Sequence, residues 1–431
     1  MDWKIGAAKK GLKGEITVPP DKSISHRAVM FSAISKGKCR VKNFLFGEDC
    51  LRTLEAFQAM GIEIEKEDES IIVEGKGLRG LKAPSGELYM GNSGTSMRIM
   101  SGILAGQNFD TFLTGDDSLS RRPMKRVIDP LLGMGVRIES SKGCPPLRIK
   151  GINKPLDPIR YVTPVASAQV KSCILSAGLY ADGETVVTEP FRSRDHTEKM
   201  LAHFSADIIQ KDEGLTTKIT GLKELISRDI CVPGDISSAA FFIVGALLIK
   251  GSDLILKNVG INPTRTGLLK VLERMGAKIE LLNFDKKTFE NSADMRICSS
   301  SLKGTIVEKE EIPSLIDEVP ILLIASLMAE GRTKIRGIAE LKAKESDRIK
   351  SMSDNLKAIG AVIFEENDAL ITEGRSGIFK AGTLNSFGDH RIVMTMAIAS
   401  LLSDGESTIK NTECVDTSYP NFLRDLGRIS V

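Results

Sequence analysis

The feature that most constrains this chain is a sixfold repeat. Six times a polar loop opens an apolar helix of about four turns, and each helix is followed by a glycine, at Gly37, Gly106, Gly183, Gly251, Gly331 and Gly405. The spacing averages about 74 residues, long for a solenoid repeat but suited to a βαβ-type unit. Glycine is the preferred residue just past a helix end, so each is read as that helix's C′ residue. Within the helices apolar residues recur at helical spacing, as in Val170, Ile174, Ala177 and in Ile392, Met396, Ala399. The fourth, running through Ala239 to Val244, is apolar all round and is expected to be buried.

A short strand follows each glycine, for example Cys39 to Lys42, Asp253 to Leu256 and Lys334 to Arg336. A second helix then closes on another glycine before the next strand, at Gly61, Gly135, Gly276 and Gly360. The third unit departs from this with Phe204-Ser205-Ala206, and the sixth ends near Leu426-Gly427.

One helix start occurs in two related forms. Val18-Pro19-Pro20-Asp21-Lys22-Ser23 returns, altered, as Val232-Pro233-Gly234-Asp235-Ile236-Ser237. Pro fixes a corner, and Asp and Ser cap a helix N-terminus, whose exposed N–H groups and dipole favour anions. Lys22 and Arg27 add cations to the first copy only, so the two corners are expected to share a shape but not a task. At 431 residues the chain exceeds one ordinary core. Six units and two corners predict two domains of three units each, 21–231 and 1–20 joined to 232–431. No Gly/Ser-rich linker separates them, so the crossings are short.

Composition removes several function classes. A net charge of +3 gives no general attraction to nucleic acid or membrane, and 5% aromatics supply no base-stacking platform. The longest apolar run, the 11 residues from Ala239 to Ile249, is too short to span a bilayer. Residues 1–20 lack a signal-peptide layout, and seven scattered cysteines without a C-x-x-C suggest reduced thiols in the cytoplasm. No dinucleotide loop and no metal-ligand spacing is present, so neither a cofactor nor a metal is expected.

Polar residues gather at the helix starts. Lys22 and Arg27 read as an anion site or as a solvated helix face. Gly91-Asn92-Ser93-Gly94 reads as a loop whose backbone N–H groups approach a phosphate, or as an ordinary Gly-rich helix start. Arg121-Arg122-Pro123 holds a guanidinium at a stiff bend. Ser167-Ala168-Gln169 opens a helix with hydroxyl and amide donors, which capping explains equally well. Ser193 to Glu198 reads as a capping network. Asp317 and Glu318 precede an apolar helix, either complementing its dipole or supplying a general base. In helix, Lys344 and Arg348 would share a side with Glu345 beside them, as surface ion pairs or as a site. His390 and Arg391 start the sixth helix, where a lone His is usually structural.

In this order the stretches DKSISHR (21–27), GNSGTSMR (91–98), RRPM (121–124), SAQVK (167–171), RDHTE (194–198), NPTR (262–265), IDEVP (316–320), KESDRI (344–349) and GDHRI (388–392) form a specific set. Over essentially its whole length the chain resembles the 5-enolpyruvylshikimate-3-phosphate synthase family, and RDHTE, SAQVK and NPTR resemble its class II branch. The resemblance implies an α/β fold of two domains, each of three βαβαββ-type units, with the active site in the cleft between them. It implies transfer of the enolpyruvyl group of phosphoenolpyruvate to the 5-hydroxyl of shikimate 3-phosphate with release of phosphate, by a cytoplasmic monomer. Those substrates bring four anionic groups, which clustered cations and helix N-termini would meet.

Carried over by motif, Lys22, Ser23, Arg27, Ser167, Ala168, Gln169, Arg194, Asp317 and Lys344 are expected to bind shikimate 3-phosphate. Ala168 replaces a serine of other branches and offers backbone alone. Lys22, Asn92, Gly94, Arg122, Gln169, Arg348, His390 and Arg391 are expected to bind phosphoenolpyruvate. Asp317 resembles the base for the 5-hydroxyl and Glu345 the proton donor to the methylene carbon, with Lys22 and Lys344 assisting. Asp416 to Pro420 lacks a lysine that some members place there. Two other readings are a UDP-sugar enolpyruvyl transferase, whose loop cysteine is missing between Gly115 and Met124, and an anion-binding repeat scaffold without catalysis, against which Asp317 and Glu345 argue.

Overall fold

The computed structural model describes residues 1–286, 289–374 and 377–430. Contacts divide the chain into two compact units, Pro20–Val232 and Met1–Pro19 with Pro233–Val431. Each is built from three small sheets of one design.

In the Pro20–Val232 unit a short edge strand runs parallel to the next strand, which pairs antiparallel with a third, itself in a hairpin with the fourth. The second sheet shows the order directly: Leu88–Tyr89, Thr111–Thr114, Cys144–Ile149, Ile138–Ser141. The third repeats it with Arg160–Val162, Glu184–Thr188, Thr216–Thr220 and Ile208–Lys211. The first sheet has no strand before Lys36–Lys42 in its own repeat. Ile230–Cys231, from the far end of the unit, supplies that parallel edge.

The other unit closes in the same way with the start of the chain. Lys13–Thr17 runs parallel to Asp253–Gly260 as the missing edge of the fourth sheet. The fifth sheet is complete within its repeat. The sixth has three strands, with Trp3–Ile5 antiparallel to Ser407–Lys410 where a hairpin would stand. Trp3 stacks on Phe422 at 6.0 Å, and Phe422 meets Phe242 at 5.2 Å, so both chain ends are pinned to the Ile236–Leu248 helix.

The first helix of every unit is the inner one. Ile236–Leu248 is buried except at Leu248, and Val319–Leu327 and His390–Leu401 are buried throughout. The Gly94–Ala105 and Ala168–Gly178 helices approach so closely that a Cβ on Gly102 would lie 2.1 Å from the Cys173 carbonyl oxygen. Only glycine allows that packing.

The repeat glycines differ from expectation. Gly106 alone sits at the helix cap. Gly37, Gly183, Gly251, Gly331 and Gly405 come two to four residues after the cap, in the turn into the strand or its first residues. At the first of these ends Ile34 and Ser35 are fully buried between the helix end and the strand. The second set does behave as C′: Gly61, Gly135, Gly276 and Gly360 follow their caps with φ of 83°, 84°, 96° and 76°. In the third unit Ser205 takes the same left-handed turn itself, at φ 65°. Gly427 is no terminator, because it lies inside the Phe422–Ile429 helix. Among the described residues no helix is long and apolar enough to cross a membrane.

Candidate active site

The site residues read from the sequence fall into two groups, one in each unit. In the Pro20–Val232 unit they stand on three inner-helix starts and the loops beside them. Asp21 caps the Lys22–Ala33 helix, accepting from the Ile24 N–H at 2.9 Å, and the corner directs Lys22 toward Asp49, 3.1 Å from its Nζ. Arg27, one turn on, is buried. Its Nε donates to Thr197 Oγ1 at 2.7 Å, and its two terminal nitrogens donate to Ser172 Oγ and the Ser23 carbonyl, both at 3.0 Å.

His26 lies wholly inside, with Nδ1 2.8 Å from Thr53 Oγ1, and Thr53 continues to Ser96 Oγ and the capping Ser93. Its Nε2 has no partner among the described residues. Burial, helped by Lys22 and Arg27, depresses the basicity of His26 well below the usual range and keeps the ring neutral.

Ser93 caps the Gly94–Ala105 helix, and a Cβ on Gly94 would meet Arg98 Nη1 at 2.9 Å and Arg122 Nη1 at 3.3 Å. Two guanidinium groups thus flank a bare backbone turn. Asn92 holds one of them, accepting from Arg122 through Oδ1 and donating to Asp116 at 2.7 Å. Arg98 donates to Gln169 Oε1 at 2.6 Å, and Gln169 donates to Thr95 Oγ1 at 2.9 Å, so Gln169 joins two helix starts.

Ser167 caps the helix that begins at Ala168, and its own N–H donates to Glu189 at 2.9 Å. Glu189 belongs to a buried triad: Lys171 Nζ lies 2.7 Å from it and 2.8 Å from Glu198. Burial opposes the Lys171 charge, but Glu198 and Glu189 outweigh it and raise its pKa. Arg194 stands half-buried beside Asp195. Asp195 occupies the N-cap position without a side-chain cap bond and pairs with Arg192 at 3.1 Å, while Ser193 Oγ donates to Glu189 at 2.8 Å.

In the other unit the group is ionic. Asp317, in a 3-10 turn just before Val319–Leu327, has Lys344 Nζ at 3.4 Å, Arg348 Nη1 at 3.1 Å and Arg391 Nη2 at 3.7 Å. Arg348 is 1% exposed and commits its remaining nitrogens to Glu345 at 2.6 Å and Asp389 at 2.8 Å. Burial works against its charge, yet the three carboxylates prevail and hold it protonated above the ordinary arginine range. Asp389 caps the helix begun by His390, accepting from the Arg391 N–H at 2.9 Å. Lys344 to Asp347 are not helical as expected. The helix starts at Arg348, capped by Asp347, and Lys344 meets Arg348 across Asp317 rather than along a helix face.

Sequence reasoning missed Asp49, Asp116, Glu189 and the anchoring role of Asp389. Asp49 had a local signal, as an acidic residue in a helix's first turn. Glu189 had none, since its partners come from tertiary packing. Among the described residues no cluster of three or more His, Cys, Asp or Glu is arranged to hold a metal.

A model of the family described as EPSP synthase (3-phosphoshikimate 1-carboxyvinyltransferase) matches residues 7–426. A 3-phosphoshikimate 1-carboxyvinyltransferase of Geobacter metallireducens is 49% identical over 421 residues, 98% of this chain and 97% of that protein. The EPSP synthase of Acinetobacter baumannii superposes with a TM-score of 0.88 at 47% identity, covering 99% of this chain and 98% of its own. The enolpyruvyl transferase NikO of Streptomyces tendae superposes with a TM-score of 0.80 over 99% and 96% of the two chains. At 18% identity that likeness concerns the fold alone.

Proposed function

This chain belongs to the EPSP synthase (3-phosphoshikimate 1-carboxyvinyltransferase) family, and we propose that it transfers the enolpyruvyl group of phosphoenolpyruvate to the 5-hydroxyl of shikimate 3-phosphate, releasing phosphate. The observation that carries this reading is Asp317 ringed by Lys344, Arg348 and Arg391, with Glu345 sharing Arg348. Two carboxylates that share Arg348 form an acid–base pair whose proton affinity responds to anions.

Before substrate binds, the cations favour ionised Asp317 and Glu345. Phosphate and carboxylate groups of the substrates compete for the same cations, and each contact they take raises the proton affinity of the carboxylate it replaces. Arg348 is 1% exposed with a carboxylate against each of its nitrogens, so phosphoenolpyruvate reaches it in competition with Glu345 or Asp317. Glu345, once released, takes up the proton it will deliver.

The 5-hydroxyl then gives its proton to Asp317 as its oxygen bonds to C2 of phosphoenolpyruvate, while Glu345 protonates the methylene carbon. In the second stage the bond from C2 to the phosphate oxygen breaks, the leaving phosphate takes the proton held by Asp317, and a methyl proton returns to Glu345, restoring the double bond and both carboxyls to their starting states. No bond to the protein is needed. Lys344 and Lys22 offset the charge that builds during addition.

Lys22, Ser23, Arg27, Ser167, Ala168, Gln169 and Arg194 are assigned to shikimate 3-phosphate. Asn92, Gly94, Arg122 and Gln169, with Lys22, are assigned to phosphoenolpyruvate, which Arg348, His390 and Arg391 also engage. We assign the protein to the cytoplasm, supported by its scattered cysteines without a C-x-x-C, and as a monomer on the family resemblance alone. The test is phosphate release from shikimate 3-phosphate plus phosphoenolpyruvate. Release with a UDP-sugar as acceptor instead, or with neither, would defeat the reading.

A further inference from the structure

The altered helix start at Asp235 and the NPTR stretch have no part in the chemistry above, yet the fold joins them to it. Asp235 caps the Ile236–Leu248 helix, accepting from the Ser237 N–H at 3.0 Å. Arg265 Nη2 donates to Asp235 Oδ1 at 3.1 Å and to Ser237 Oγ at 2.8 Å. That hydroxyl in turn donates to Glu318 Oε1, and the same oxygen lies 3.7 Å from Arg391 Nη1. Arg391 also reaches Asp317, through its carboxylate at 3.7 Å and its carbonyl at 3.3 Å.

Glu318 is 1% exposed, and its second oxygen is buried with no hydrogen-bond partner among the described residues. A buried carboxylate using half its acceptor capacity costs stability, so packing does not explain it. What it supplies is a fixed negative charge behind Arg391. We propose that Glu318, held by Ser237 and Arg265, is a positioning residue that aims Arg391 at phosphoenolpyruvate. The assignment rests on the reading of Arg391 given above. It accounts for the second corner: the hydroxyl that both copies carry, at Ser23 and Ser237, serves in this one to orient a carboxylate.

The test compares Michaelis constants. Glu318→Gln keeps the shape and an acceptor for Ser237 but removes the charge. It is expected to raise KM for phosphoenolpyruvate about tenfold, as small misplacements at a site do, with KM for shikimate 3-phosphate unchanged within about twofold. Ser237→Ala is expected to shift it in the same sense, and Ser237→Thr, which keeps the hydroxyl, to recover most of the loss. Should Glu318→Gln not fold, the Ser237 pair carries the same expectation. Arg391→Ala is the control. If it raises KM for phosphoenolpyruvate while folded Glu318→Gln and Ser237→Ala do not, the positioning role is overturned and the proposed function stands. If Arg391→Ala itself leaves that constant unchanged, the assignment of Arg391 fails and the inference falls with it.

Discussion

Arg348 Nε donates to Asp389 Oδ2 at 2.8 Å, and both side chains are closed to solvent. Asp389 thereby does two things at once, because its other oxygen caps the helix that presents His390 and Arg391. The pair fixes the distance between two cationic helix starts. Without the Asp389 charge the buried Arg348 keeps Asp317 and Glu345 but loses its third carboxylate. Asp389→Asn, which still caps the helix, is therefore expected to lower unfolding free energy by about 2 kcal/mol, the cost of one hydrogen bond to a charged group. Chemical denaturation checks this, and an unchanged midpoint would contradict it.

Asp317→Asn and Glu345→Gln are expected to reduce turnover by at least ~10²-fold each, with substrate binding retained, as for general acid–base groups. Steady-state rates with calorimetric binding separate the two effects. Near-normal turnover in both variants would remove the roles assigned to them.

Arg122 is buried, and Asn92 and Ser118 hold its guanidinium. Its contact with phosphoenolpyruvate would be charge-assisted, and losing such a contact costs about 1.5–3 kcal/mol. Arg122→Ala is accordingly expected to raise KM for phosphoenolpyruvate, with kcat less affected. A constant KM would exclude the contact.

These side chains differ in how far the sequence announced them. The caps were legible because capping is local: Asp21, Ser93, Ser167 and Asp235 each lie two or three residues from the N–H they accept. The repeat was legible for the same reason, since helix spacing and turn glycines are short-range signals. The closure of the first sheet by Ile230–Cys231 and of the sixth by Trp3–Ile5 was not, because strand pairing at such separations leaves no local trace. Arg348 was expected among the cations, but its burial by Asp317, Glu345 and Asp389 depends on where three loops meet.

His26 makes stability depend on pH. Its folded-state pKa is depressed, first by burial and then by Lys22 and Arg27, whereas the unfolded ring titrates near 6.5. Above that value both states are neutral and stability is full. As pH falls below it the unfolded state gains a proton that the folded state resists, so stability declines toward the depressed folded value. The slope approaches about 1.4 kcal/mol per pH unit for one proton. Urea midpoints between pH 7 and pH 5 are expected to fall less steeply in His26→Asn than in the parent protein. Equal slopes would refute the assignment.

Lys171 gives the last prediction. It sits between Glu189 and Glu198 with all three side chains buried, and Glu189 also accepts the Ser167 N–H. Lys171→Met removes the one cation of this triad and leaves two carboxylates facing each other out of water. Breaking a buried pair this way costs about 3–5 kcal/mol. The loss should itself depend on pH. Without Lys171 at least one glutamate has its folded pKa raised above the unfolded value, by burial and by its like-charged neighbour. A group raised in this way contributes stability below its unfolded pKa and loses it as pH rises through the folded one. The variant is therefore expected to lie closest to the parent near pH 5 and furthest from it near pH 8, with Glu198→Gln added to Lys171→Met recovering part of the deficit at pH 8. Denaturation at both pH values decides the matter. A deficit that is constant with pH would mean that the lysine stem, and not its charge, supports the Ser167 helix start.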